Sequence, residues 1–293
     1  MAKASVAEWG EPVLVEHELR AGPKGRRVLA RIGYPRRITN DDWTCSYQLL
    51  GTTDKRWRVE DGKVSRAMSD DGLHALWNAC SPVRGQLDRV KDVHPCVPPH
   101  EFVFPEFLPT YDTRHGLDFY RELTHILWAE IKESGVSQPE APPPTETLAQ
   151  STWTEPALID RKFEFGSQKH GIRVRIGFPY FLSGENTWAC SFQLEGLGEG
   201  LVQRVRGENG LWAAARATRV IRESFDALEA PSFGVHYEFM FPAYLPIQHG
   251  LELHRRLRKV LDAERARRLR NQLRSWRRRE QRSAARERAA KAS

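Results

Sequence analysis

The clearest alternation of hydrophobic and polar residues lies in residues 43–49. Apolar side chains occupy every second position there, and small polar side chains occupy the positions between: Trp43, Cys45, Tyr47 and Leu49 against Thr44, Ser46 and Gln48. A period of two is typical of a β-strand that buries one face in a hydrophobic core. Weaker alternation predicts strands at 14–19 and 28–32, and a fourth strand near 56–59 that ends at Gly62.

Hydrophobic residues recur every three or four positions in two later segments, which predicts two helices. The first runs through Leu73, Trp77, Cys80, Val83 and Leu87, and the second runs through Leu117, Tyr120, Leu123, Leu127 and Ile131. Asp70 and Asp71 precede the first helix, where the positive end of the helix dipole stabilises carboxylates. Pro82 is expected to kink this helix. A Glu-Phe-x-Phe-Pro motif at 101–105 predicts a fifth strand between the helices.

The whole pattern occurs twice. A Trp-x-Glu-Pro motif at 9–12 returns at 153–156, the strand at 43–49 returns at 188–194, and Glu-Phe-x-Phe-Pro returns at 238–242. A repeat longer than 100 residues indicates a duplicated domain and not a solenoid unit. We therefore predict an α+β fold: two tandem copies of an antiparallel β-sheet domain (about ββββαβα) with helices on one face, plus a basic C-terminal helical tail.

Composition places the boundaries between these parts. Residues 134–152 are poor in apolar side chains and carry four prolines, which predicts an extended linker. The predicted domains are then 9–133 and 153–262, with a basic tail at 263–293. No apolar run is long enough to span a bilayer and the N-terminus lacks a signal-peptide pattern, so we expect a cytoplasmic protein with reduced cysteines and no disulfide framework.

The charge is unevenly distributed. Residues 255–293 contain sixteen Lys or Arg and four Asp or Glu, a net charge of +12. Subtracting this from the formal +7 of the chain leaves −5 for residues 1–254. The predicted folded body is therefore mildly acidic, and the basic excess belongs to the tail.

The second copy resembles a small bacterial domain family whose function is uncharacterised. The resemblance rests on Ile-Gly-Phe-Pro at 176–179, Trp-x-Cys-x-Phe-Gln-Leu-x-Gly-Leu-Gly at 188–198 and a helix that begins at Gly210. It covers about residues 171–230, and the first copy departs from it at 49–53. The resemblance implies a bacterial origin and a small α+β domain, and it brings no catalytic residues with it.

A polar array recurs on the predicted sheets and forms a candidate ligand face. Its members share strand parity away from the core: Arg31, Gln48 and Glu101 in the first copy, and Arg175, Gln193 and Glu238 in the second, with Ser46 and Ser191 beside them. Such an array suits a polar ligand or acid–base chemistry. Cross-strand pairing on a solvated face is the structural alternative.

Other reactive residues fit no known catalytic or metal-binding motif. Two interpretations are open for Cys45 and Cys190: each thiol is a nucleophile or ligand, or each side chain is a small hydrophobic residue buried in the core. His115 and His249 lie at the start of the second predicted helix of each copy. Each is a candidate general base or pH-sensing group, with packing in the capping region as the structural alternative. Because the spacings of zinc sites, phosphate-binding loops and hydrolases are missing, we expect no cofactor, no metal and no enzymatic activity.

The tail carries the strongest functional signal. Its arginines surround a broken apolar stripe of Leu257, Leu261, Leu269, Leu273 and Trp276, and the candidate nucleic-acid contacts are Arg267, Arg268, Arg270, Arg274, Arg277, Arg278, Arg279 and Arg282. Guanidinium groups bind phosphate in a bidentate manner. A solvated charged helix, a membrane-surface helix and a site for an acidic protein are the alternatives.

These features predict a non-enzymatic binding or adaptor protein whose tail engages nucleic acid, DNA or RNA. Two other functions stay open. The acidic body could dock on a basic protein partner, as immunity or antitoxin-like modules do, or the sheet array could belong to a cryptic enzyme.

Overall fold

A computed structural model describes most of both copies. The described residues are 9–21, 24–51, 62–90, 103–105, 116–134, 144–148, 152–165, 170–228, 232–233, 241 and 251–292. They group into two compact units: one holds both β-sheets with a helix from each copy, and the other holds the two remaining helices. The α+β class and the C-terminal helix are as the sequence predicts.

The first copy forms an antiparallel sheet of five strands. These are β1 (Val13–Ala21), β2 (Arg26–Gly33), β3 (Arg36–Arg37), β4 (Trp43–Leu50) and β5 (Val64–Ser69). Strand β4 pairs with β5 and, along its other edge, first with β3 and then with β2. Pro35 lies between β2 and β3, where its missing N–H interrupts the hydrogen-bond ladder.

Helix α1 (Gly72–Leu87) packs against β4 and β5. Its start is fixed by Asp71, whose carboxylate accepts a hydrogen bond from the backbone N–H of His74 at 2.8 Å. Such an N-cap satisfies one of the donors that a first helical turn leaves unpaired. The predicted apolar stripe is buried, from Leu73 through Trp77 to Leu87.

The second copy builds a seven-stranded antiparallel sheet. Its strands are β6 (Thr145–Thr147), β7 (Ala157–Phe165), β8 (His170–Gly177), β9 (Tyr180–Leu182), β10 (Thr187–Glu195), β11 (Val202–Gly207) and β12 (Ser232–Phe233), in the order β12-β7-β8-β10-β11-β6 with β9 also on β10. Helix α3 (Gly210–Asp226) packs against β10 and β11 and is capped by Asn209.

Strand register confirms the duplication. Arg31 pairs with Gln48 across β2 and β4, just as Arg175 pairs with Gln193 across β8 and β10. Both first strands also carry a register shift at the same place, between Val13 and Val15 in β1 and between 157 and 159 in β7. A shared irregularity of this kind indicates one ancestral backbone.

Three details differ from the sequence prediction. The fourth strand of the first copy is Val64–Ser69, which follows Gly62; the segment 56–59 lies outside the described residues. The predicted linker contributes β6, which pairs with β11 at Gln203 to Val205. Of the Glu-Phe-x-Phe-Pro motif, residues 103–105 are not in a strand, and most of the rest is not described.

The two copies touch within the first unit. Glycines at the starts of α1 and α3 allow the contact: a Cβ on Gly72 would lie 3.0 Å from Leu158 Cδ2, and one on Gly210 would lie 3.0 Å from Leu14 Cγ. Each helix start therefore meets the first strand of the other copy. The predicted boundaries at 133 and 153 assign each copy a domain of its own, and they stay a prediction.

The second unit pairs α2 (Gly116–Glu133) with α4 (Leu251–Ala292). Its core consists of residues three or four positions apart on each helix: Leu123, Leu127 and Ile131 with Leu253, Leu257 and Leu261. Arg256 pairs with Glu130, whereas Arg268, further along α4, pairs with Glu122, so the helices run antiparallel. Helix α4 passes the predicted domain end at Asp262 without a break.

Candidate functional site

In the first copy the predicted array forms a cross-strand cluster. Arg31 donates from Nη1 to Gln48 Oε1 at 3.4 Å and from Nε to Glu16 Oε2 at 2.6 Å. Gln48 donates from Nε2 to the carbonyl of Gly62 at 2.8 Å, and its side chain is 1% exposed. Gln48 therefore fastens β4 to the turn before β5.

The second copy repeats this cluster with shorter contacts. Arg175 donates from Nη1 to Gln193 Oε1 at 2.6 Å, and Gln193 donates to the carbonyl of Gly200 at 2.7 Å. The guanidinium of Arg175 also lies 3.2 Å from Glu195 and 3.5 Å from Asp160. The positive charge of Arg175 is thus balanced by two carboxylates.

A small open cleft adjoins Arg175 and Gln193. It is lined by Trp153, Glu195, Glu199 and the glycines of the loop after β10. Its acidic side chains match the charge of Arg175, so the cleft presents no excess positive charge to an anion. Burial would raise the pKa of nearby Asp160, but the hydrogen bonds and charges of Arg173 and Arg175 lower it overall.

The repeated Trp-x-Glu-Pro motif has a structural role that sequence reasoning missed. The indole N–H of Trp9 donates to the carbonyl of Glu11 at 2.6 Å, and Trp153 does the same to Glu155 at 2.5 Å. A Cβ on Gly177 would lie 3.4 Å from the Trp153 ring, and Gly33 stands in the same relation to Trp9. The motif lies against the end of β2 or β8 in each copy.

The predicted ligand face is consequently buried at its serine and glutamine positions and partly exposed at Arg31 and Arg175. Ser46 and Gln48 are buried, as are Ser191 and Gln193. The carboxylate of Glu155 accepts a hydrogen bond from Ser191 Oγ at 3.4 Å, which places the motif over this polar layer. The signal for this arrangement was the repeat of a glutamate beside a tryptophan at the start of each copy.

Several predicted residues lie outside the described part of the chain. These are Glu101 and Glu238 of the arrays, together with His115 and His249. The structure therefore leaves the carboxylate of each array, and with it the acid–base hypothesis, as a prediction.

Cys45 and Cys190 are fully buried at equivalent positions of β4 and β10. Both are free thiols, as is Cys80. Burial is the main cause that raises the pKa of each strand thiol far above its ordinary value, and the nearby Glu11 or Glu155 raises it further. A thiol that stays protonated is a poor nucleophile and ligand. Trp43 and Trp188, predicted to be buried, are half-buried.

A charged cluster joins the two copies at the start of α1. Oxygen and nitrogen atoms of Asp70, Asp71 and His74 lie within 4.8 Å of one another, which is close enough to hold a metal ion. The guanidinium of Arg161 in β7 already supplies a positive charge there, 2.8 Å from Asp70 and 3.5 Å from Asp71. Burial would raise the pKa of Asp70, but the Arg161 hydrogen bond and charge lower it overall. This cluster is best understood as an ionic link between copies.

The first part of α4 uses its charges to bind α2 and itself. Arg256 contacts Glu130 at 2.8 Å, and Arg267 and Arg268 both contact Glu122. Arg267 also pairs with Glu264, which raises the pKa of its guanidinium. Two of the eight predicted nucleic-acid contacts thus stabilise the helix pair.

The second part of α4 is different. Every described side chain from 270 to 282 is exposed, including the six remaining predicted contacts: Arg270, Arg274, Arg277, Arg278, Arg279 and Arg282. Within the described residues none of these six forms an ion pair. Leu273 and Trp276 are 48% and 56% exposed, whereas Leu257 and Leu261 of the same predicted stripe are buried against α2.

Comparisons with known proteins identify no relative. The chain matches no family model, no curated protein and no solved structure. Among the described residues, no helix has both the length and the apolar character that crossing a membrane requires.

Proposed function

We propose that this is a non-enzymatic, cytoplasmic binding protein that engages nucleic acid through residues 270–282 of α4, the exposed arginine segment. One observation carries the proposal: Arg256, Arg267 and Arg268 contact carboxylates of α2, whereas the six arginines from Arg270 to Arg282 form no ion pair within the described residues. Charges that stabilised the fold would be expected to find partners within it. Six exposed guanidinium groups on thirteen residues instead suit an external polyanion.

Nucleic acid, with its backbone of phosphate groups, is the polyanion that these arginines fit best. Guanidinium groups bind phosphate oxygens in a bidentate manner and keep their charge at every physiological pH. The acidic body, with its net charge of −5, would repel phosphate, which confines binding to the arginine segment. A chain that carries two copies of a sheet domain and one basic segment is consistent with an adaptor, in which the sheet domains hold another molecule.

Salt dependence tests the proposal. Full-length protein should bind a labelled nucleic acid at low ionic strength, and the affinity should fall as salt rises, because each neutralised phosphate releases counterions. The triple variant R270Q/R277Q/R282Q should reduce the log–log salt slope by about 2.7, which is three phosphate contacts at about 0.9 each on duplex DNA.

A matched control separates local contacts from net charge. The variant K24Q/R27Q/K162Q removes three exposed positive charges from the sheet unit and should leave the slope unchanged. Removal of residues 270–293 should abolish binding while the paired part of α4 remains. If the intact protein shows no salt-dependent binding to DNA or RNA, the proposal fails and an acidic protein partner becomes the better explanation for the tail.

A further inference from the structure

The exposed arginines cover a wide sector of α4. Successive residues of an α-helix are rotated by about 100°, so with Arg270 at zero, Arg274, Arg278 and Arg282 lie at about 40°, 80° and 120°. On the same scale Arg277 lies at about −20° and Arg279 at about 180°. The six guanidinium groups therefore occupy an arc of about 200°, with its centre near Arg278.

The opposite sector has a different character. Trp276, Glu280 and Leu273 lie at about 240°, 280° and 300° on the same scale. All three are exposed. A carboxylate between two apolar side chains disfavours insertion into a membrane surface, where the apolar face must be free of charge. The arginine arc is thus the face of this segment that suits a polyanion.

An arc of this width fits a groove better than a flat surface. A helix on a flat surface contacts it through a stripe about 100° wide, whereas a helix in a groove is enclosed on three sides. The major groove of B-form DNA is about 12 Å wide and accepts an α-helix, with phosphates along both edges. The major groove of A-form RNA is too narrow to accept a helix, and proteins bind RNA duplexes across the minor groove instead.

We propose that the exposed arginine segment binds in the major groove of B-form duplex DNA. The proposal rests on the function proposed above and names its substrate class. Arg270 and Arg277 would face one phosphate edge, Arg279 and Arg282 the other, and Arg274 and Arg278 the floor. Thirteen helical residues are about 20 Å long, which matches about six base pairs at 3.4 Å each.

Single-stranded nucleic acid fits the arrangement less well. Binding to unpaired bases combines arginine contacts with aromatic stacking on the same strand. Trp276, which is the exposed aromatic side chain of this segment, lies about 160° from the centre of the arginine arc. In a groove complex it would point away from the DNA, so its replacement distinguishes the two modes.

The test compares four probes with full-length protein at one low salt concentration. They are a DNA duplex, an RNA duplex of the same sequence, one strand of the DNA, and a DNA duplex whose pyrimidines carry a bulky C5 substituent, which fills the major groove. The plain DNA duplex should bind at least tenfold more tightly than each of the other three. The variant W276S should bind this duplex within twofold of the wild-type protein.

The outcomes separate the two proposals. Equal or tighter binding of the RNA duplex or the single strand, no effect of the C5 substituent, or loss of binding in W276S would each overturn the groove model and leave nucleic-acid binding standing. The absence of salt-dependent binding to every probe would remove both. The control variant K24Q/R27Q/K162Q should preserve the order of the four affinities.

Discussion

At the scale of single residues, glycines decide how closely helices approach the sheets. Gly207 ends β11, and a Cβ at this position would lie 2.8 Å from the Cα of Ala213 in the first turn of α3. Backbone atoms cannot yield as a flexible side chain does. We expect Gly207→Ala to destabilise the protein by about 2–3 kcal/mol.

Chemical denaturation measures this effect directly. Gly184→Ala is the matched control, because a Cβ on Gly184 would meet nothing within 4 Å, and its change should stay within about 0.5 kcal/mol. Equal midpoints for the two variants would show that α3 shifts away from β11 at little cost.

The burial of a single residue could be predicted only where its side chain was apolar and the alternation also placed it on the apolar face. Cys45 and Cys190 are buried as expected, because they are apolar and lie on the apolar face. The same alternation predicts Ser46 and Gln48 on the face away from the core, yet both are buried, because a central strand covered on both sides also buries its polar positions. What covers a face comes from elsewhere in the chain, and local periodicity carries no information about it.

At the scale of elements, Arg161 couples β7 to the start of α1. Its contact with Asp70 gives that carboxyl a lower pKa in the folded state than its ordinary value of 3.8. A carboxyl shifted in this direction stabilises the fold above its unfolded pKa, and that contribution is lost as pH falls through the lowered folded value. We expect Arg161→Gln to destabilise the protein at pH 5 and to have less effect near pH 3.

Urea unfolding at the two pH values checks this prediction. Lys162→Gln provides the control, since Lys162 is an exposed neighbour on the same strand. A loss of stability in Arg161→Gln that is the same at pH 5 and pH 3 would mean that the arginine acts through packing alone.

Two of the leucines in helix α4, Leu257 and Leu273, have opposite expected roles. Leu257 is 0% exposed between α2 and α4, and Leu273 is 48% exposed beyond the paired region. We expect Leu257→Ala to cost about 2–4 kcal/mol of stability in this helix pair, and Leu273→Ala less than about 0.5 kcal/mol. Hydrogen exchange of α2 amides measures the difference. Faster exchange in Leu273→Ala as well would mean that Leu273 also stabilises the helix pair, contrary to this prediction.

The same helix shows what periodicity could and could not predict. Leu257, Leu261, Leu273 and Trp276 looked like one broken stripe, but the apolar positions move to another side of the helix after the paired region. The local spacing of apolar residues predicts that a helix forms. Which element packs against each face of that helix depends on parts of the chain that are distant in sequence. The arginines divide in the same way, since the carboxylates that pair with Arg256 and Arg268 lie in α2, more than 120 residues earlier.

At the scale of the whole molecule, the sequence predicted the duplication but not the grouping of its parts. Each copy repeats the strand register of the other, so its internal sheet could be inferred from alternation. The contact between copies is made by Gly72 and Gly210 against Leu158 and Leu14, and no pattern within one copy marks these residues as an interface. Both compact units consequently draw on both halves of the chain.

This grouping predicts what happens when the chain is cut between the copies. With a specific protease site inserted within 135–143, cleavage should leave the two fragments associated in size-exclusion chromatography under native conditions. The reason is that β1 with α3, β7 with α1, and α2 with α4 are contacts between the halves. Separation into two folded pieces would instead support independent tandem domains. Introducing Gly210→Leu into the cut protein should weaken the association, because the added side chain meets Leu14 where only a glycine fits.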